Sequence, residues 1–166
     1  SDLDLPSLVG AAFDAYALTD DYWHFFVALR LANGTSLVFT TEDFGVGPGF
    51  EVFALRVRSE KRQEFWKVLS RPFVVARAQP LWRNEWIESG ASGPTLGADP
   101  ATHYAGRGPV PRHALAHARV LAGALFEHPE GGRVIVAASD SAPFNVDIFV
   151  DPVDVGEALI RFEQLS

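Results

Sequence analysis

Four of the five histidines in this 166-residue chain fall within 26 residues, at His103, His113, His117 and His128. His113 and His117 stand four apart, a spacing that puts both imidazoles on one face of a helix or of a strand. Two imidazoles so placed can begin a zinc, nickel or iron site, which His103 or Glu127 would complete. One expectation is therefore a small metal-binding protein or metal-dependent hydrolase, using His103, His113 and His117 with a divalent transition metal. The same histidines could act as a general base beside Asp140 or Asp147.

Other chemistries lack their parts. The chain has neither Cys nor Met, which removes disulfides, thiolate ligands, cysteine nucleophiles and Met-rich grooves. No phosphate-loop, nucleophile-elbow or H-E-x-x-H motif occurs. The run Gly45-Val46-Gly47-Pro48-Gly49 lacks dinucleotide-loop spacing, and Pro48 removes a backbone N–H such a loop needs. The leading expectation is accordingly non-enzymatic, with no catalytic residue and no cofactor.

A second group of residues suits binding. The formal net charge is −7, yet residues 56–83 carry eight bases against Glu60 and Glu64. Arginines there interleave with Phe65, Trp66, Phe73, Trp82 and, just beyond, Trp86. Cationic grooves with aromatic platforms occur in single-strand nucleic-acid binders. The acidic total and the absence of an RNP-type motif argue against nucleic acid. The acidic flanks and the basic middle instead suit pairing within the fold. What remains is a protein-binding domain, regulatory, adaptor or immunity-like, with Phe26, Trp82, Trp86 and Arg83 as partner-contacting residues. Homo-oligomerisation through sheet edges is a further expectation.

These residues need elements to hold them. Leu5, Leu8, Val9, Ala12, Phe13 and Tyr16 recur at helical spacing and predict an N-terminal helix ending near Thr19. From Tyr22 to Leu31 the period becomes two, and Asn33-Gly34 is a strong hairpin-turn signal. Strands are expected at 36–41 and 50–58, joined by a Gly-rich linker, followed by an amphipathic helix over 59–71 capped by Ser59. Strands at 73–78 and 81–88 follow. Residues 90–111, with five Gly and four Pro, read as a long loop. The last third predicts strands at 120–128, 133–138 and 144–150, then a closing helix from Asp154.

The length suits one domain, and 48% hydrophobic residues suffice for a core. The expected fold class is α+β: a single domain, 1–166, of two similar halves with an additional N-terminal helix. Each half is a three-stranded antiparallel meander followed by a helix, over 20–71 and 118–166, joined by strands in 73–88 and the loop 90–111. No apolar run reaches the roughly 18 residues of a membrane span. A soluble, cytoplasmic, bacterial-type protein is expected; the sequon Asn33-Gly34-Thr35 is assigned to the hairpin.

Overall fold

The computed structural model describes residues 4–19, 24–47, 50–89, 102–139 and 144–164. Two antiparallel sheets account for most of them. The first sheet contains β1 (Ala12–Leu18), β2 (Val27–Leu31), β3 (Ser36–Gly47), β4 (Phe50–Glu60) and β5 (Lys67–Val74), in the order β4-β3-β2-β1-β5. The second contains β6 (Arg77–Glu88), β7 (Thr102–Gly106), β8 (Ala116–Glu127), β9 (Arg133–Ala138), β10 (Val146–Phe149) and β11 (Glu163–Gln164). Its order is β10-β9-β8-β6-β11, with β7 also paired to β6. The one α-helix among the described residues is α1 (Pro152–Leu159).

The expected α+β arrangement does not form. In place of an N-terminal helix there is a single 3-10 turn, Leu5–Leu8, ended by Gly10 at φ +91°. Beyond it the chain is strand, because β1 pairs on both edges, with β2 and β5; a bulge between Phe13 and Ala15 leaves Phe13 and Tyr16 in the main core and Ala17 on the opposite face. No helix occupies 59–71 either. Ser59 pairs with Leu37 in the β3–β4 ladder, residues 61–66 have no regular structure, and β5 follows.

Register explains that segment. Ser59, Leu37, Leu29, Tyr16 and Lys67 form one row across the sheet from β4 to β5. Four strand spacings are about 19 Å, which the eight residue steps from Ser59 to Lys67 can cover when extended. The chain therefore crosses the outer face of the first sheet as a strap, and a helix would be too short. Trp66 and Phe26 pack there over Ala17, Ala28 and Val38. Arg62 lies 4.4 Å over the Phe26 ring and pairs with Glu60 at 2.6 Å and Glu64 at 2.7 Å.

Other expectations fare differently. The Asn33-Gly34 turn forms, with Gly34 at φ +86° and the Asn33 side chain accepting from the Thr35 N–H at 3.0 Å. The expected linker after Thr41 is largely strand, since β3 runs on to Gly47. The long loop contains β7; residues 90–101 lie outside the described residues, as do Trp23 and Asp140. The closing helix begins earlier, with Asp151 rather than Asp154 accepting from the Val153 N–H at 2.9 Å. The halves 20–71 and 118–166 do not coincide with the sheets, because β1 belongs to the first and β6 and β7 to the second.

The main core lies between the sheets. Phe13, Val27, Leu29, Phe39, Leu55 and Phe73 meet Ala124, Phe126, Val134, Val136 and Val146. Phe39 and Phe126 approach edge to face with centroids 6.2 Å apart, a geometry favoured by the ring quadrupole. The Val146 N–H donates to the His24 carbonyl at 2.7 Å, tying β10 to the lead-in of β2. On the other face of the second sheet, α1 places Val155, Ala158 and Leu159 over Leu81, Leu125 and Ile135.

Candidate functional site

β6 is the element that sorts the candidate residues. Its burial alternates without a break from Gln79 to Glu88, so its odd and even residues face opposite ways. The odd face is buried: Leu81 sits under α1, while Ile87 packs with Phe50, Val52 and Ala54 of β4 and Val120 of β8. Between them lie Arg83, 2% exposed, and Glu85, 1% exposed.

These two charges are held by a closed set of partners. Arg83 donates from Nη1 to the Ala138 carbonyl at 2.9 Å and from Nη2 to the Ser139 carbonyl at 3.1 Å. Its Nε lies 3.5 Å from Glu85 Oε2, and Glu85 Oε1 meets His103 Nε2 at 2.9 Å. His103 in turn presents an edge-to-face contact with Phe50, centroids 5.3 Å apart. Buried charge is tolerated only when neutralised and hydrogen-bonded, and this network supplies both. Arg83, expected to contact a partner, is thus placed inside as a strut joining β6 to the end of β9.

The expected histidine cluster does not assemble. His103 pairs in register with Ile87 across β7–β6, and His117 with Trp86 across β8–β6. Ile87 and Trp86 are successive strand residues, so His103 and His117 project from opposite faces of the sheet. His113 lies exposed before β8, its Nε2 3.0 Å from Glu88 Oε1. His128 Nδ1 accepts from the Glu130 N–H at 3.0 Å. Asp147 has His24 Nδ1 at 3.8 Å. Among the described residues no three His, Asp or Glu side chains converge in a way that could hold a metal ion.

The even face of β6 is different in kind. Trp86 stacks on Tyr104 of β7, with centroids 5.7 Å apart and planes 18° apart, and its Nε1 donates to Glu88 at 3.1 Å. The Arg119 guanidinium of β8 lies 4.9 Å over the Trp82 ring and 3.7 Å from Glu163. Asn84 donates to the Gly108 carbonyl, and the Gly108 N–H donates to Glu163 at 3.1 Å, which pins the chain after β7 to this face. Trp82 and Trp86 are half-buried, while Tyr104, His117 and Arg119 are exposed.

Charge sharpens the picture. From Pro100 to Phe126 the sequence has three arginines and no acid, in a protein of net charge −7. Arg107 and Arg112 are exposed, and among the described residues neither has a carboxylate within ion-pair distance. Trp82 and Trp86, expected as partner-contacting residues, lie on this face beside Tyr104 and Arg119, which the sequence reading did not single out, nor Arg107 and Arg112; the acid-free run is the signal that points to them. Phe26, the remaining candidate, lies on the first sheet beneath Arg62 and does not join this face.

Compared with protein-family models, curated proteins and solved structures, the chain has no match. Among the described residues no helix is long and apolar enough to cross a membrane.

Proposed function

We propose that this chain is a protein-binding module that takes an extended, acidic segment of a partner on the even face of β6, β7 and β8. The observation that carries this reading is the partly exposed aromatic and cationic strip of Trp82, Trp86, Tyr104 and Arg119 on a protein of opposite overall charge. Stacked aromatics give a rigid apolar platform at small entropic cost. Arg107, Arg112 and Arg119 add attraction for carboxylates, which steers encounter and sets orientation. β7 runs beside this strip and, among the described residues, is paired only with β6, so an extended chain can add to its outer edge. A long polyanion such as nucleic acid is disfavoured by the net charge of −7, whereas a short acidic segment need meet only the strip.

Tryptophan fluorescence provides the test. A synthetic peptide of about ten residues alternating Glu and Val, long enough to span the strip, is titrated against the protein beside its Lys-Val counterpart and a thymidine oligonucleotide. The reading expects saturable binding of the acidic peptide, lost in Trp86→Ala and Arg119→Glu. Silence toward the acidic peptide, or equal binding of the oligonucleotide, overturns it.

A further inference from the structure

A cleft of about 330 Å³ opens at the seam between the sheets, away from the aromatic strip. One wall comes from an irregularity in β5. While β1 advances from Phe13 to Ala15, its antiparallel partner β5 steps back from Phe73 to Val68, so Leu69–Pro72 leave the β1 ladder. Bulges of this kind re-aim side chains and gather beside binding sites. The facing wall is the β8–β9 turn, closed by His128 N–H to Gly132 carbonyl at 2.7 Å and passing through Gly131 at φ +94°.

The lining has a floor and a rim of different character. Phe73 and Val134 are buried, and Leu69 and Val150 complete an apolar floor. Arg71 and Arg133 stand at the rim, both exposed. Arg71 lies 3.9 Å from Glu130, in a pair so exposed that it holds the guanidinium weakly. Arg133 has no carboxylate within ion-pair distance among the described residues. Two arginines over an apolar floor complement a single anionic group on an apolar body. The volume is at the lower end for ligand sites, the size of one amino-acid-like acid.

We propose that this cleft binds a small carboxylate with an apolar body. The arginines take the carboxylate by charge-assisted hydrogen bonds, and Phe73, Leu69, Val134 and Val150 cover the body. The ligand is either a free acid or the last residue of another polypeptide, and the two share this chemistry. The proposal stands apart from the strip on β6–β8, since no residue is common to both.

Amide chemical-shift titration of the whole chain tests it with four probes: hexanoate, hexan-1-ol, and acetyl-Gly-Gly-Leu as free acid and as amide. At least one acid should saturate shifts on β5 and the β8–β9 turn with Kd below about 1 mM, its neutral analogue binding at least about tenfold more weakly. Hexanoate alone assigns a free acid; the tripeptide acid binding more tightly assigns a chain terminus. The double variant Arg71→Gln/Arg133→Gln should weaken the binding acid about tenfold without lowering the melting temperature, because both side chains are exposed. Absence of saturation by either acid up to about 10 mM overturns the proposal. So does equal binding of acid and neutral analogue, or unchanged binding in the double variant.

Discussion

The two faces of β6 differ in a way that hydropathy alone would reverse. Arg83 and Glu85 are inside, while Trp82 and Trp86, two of the most apolar residues available, lie half open on the other side. The charged residues are buried because each has a complete set of partners: Arg83 satisfies the carbonyls at the end of β9, and Glu85 is shared between Arg83 and His103. The tryptophans are half open because at this end of β6 the first sheet covers only the odd face, where Ile87 packs on Phe50, Val52 and Ala54 of β4. One strand thus separates a structural network from an accessible aromatic surface. Loss on the odd face should register as instability and loss on the even face as lost binding.

The largest effect should come from breaking the network. Glu85→Ala leaves the Arg83 guanidinium buried without a counter-ion and should cost about 3–5 kcal/mol, read from the urea midpoint. Replacing both charges, as Arg83→Met with Glu85→Leu, should recover part of that loss, because the apolar pair needs no counter-ion, while the Ala138 and Ser139 carbonyls lose their donor. If the double variant is no more stable than Glu85→Ala, the cost lies elsewhere than in the unpaired charge.

Next in size is Gly123→Ala, on the β8 strand beside Leu81. An added Cβ would lie 3.0 Å from Ala137 Cβ and 3.1 Å from the Val136 carbonyl, so overpacking of about 1–3 kcal/mol is expected in the same unfolding assay. The neighbouring face should respond oppositely. Trp86→Ala removes one stacking partner, worth about 0.5–1.5 kcal/mol beyond area, and should abolish acidic-peptide binding in a fold that remains cooperative.

How much of this was legible in the sequence follows from where the deciding information lies. The Asn33-Gly34 turn, the strand at 133–138 and the centre of the strand expected at 144–150, which forms over Val146–Phe149, are specified locally, by turn chemistry and alternation, and they were readable. β1 was not. Its residues satisfy a period of 3.6, a bulge between Phe13 and Ala15 interrupts the period of two, and the strand is imposed by pairing with Phe73 and Val74, some sixty residues away. The stripe Phe65, Trp66, Val68, Leu69 likewise looks helical, yet it serves two elements: Trp66 covers the first sheet in the strap, and Phe65 is 89% exposed. His103 and His117 were grouped because spacing along the chain cannot reveal that β7 and β8 pair with β6 one residue out of phase.

The smallest effects belong to the partly exposed ion pairs of the first sheet, which contrast with the buried pair in the second. The Arg30 guanidinium holds the Asp14 carboxyl below its ordinary value by a hydrogen bond, and Arg62, then Arg58, does the same for Glu60. A carboxyl whose pKa is lower in the folded state stabilises the fold above the ordinary carboxylate range. That contribution is lost as pH falls through the lowered value. The urea midpoint should therefore hold above about pH 5 and decline below about pH 4. Asp14→Asn and Glu60→Gln should each make that decline shallower, and only slightly, because water screens these pairs.

Amide and indole chemical-shift mapping with the acidic Glu-Val peptide bears most directly on the division of β6 into a structural and a binding face. Shifts should concentrate on the Trp82 and Trp86 indoles, β7 and residues 116–119, with the Arg83 side and the Phe26–Trp66 surface unchanged. Shifts centred on Phe26 and the strap, or none at saturating peptide, would contradict it.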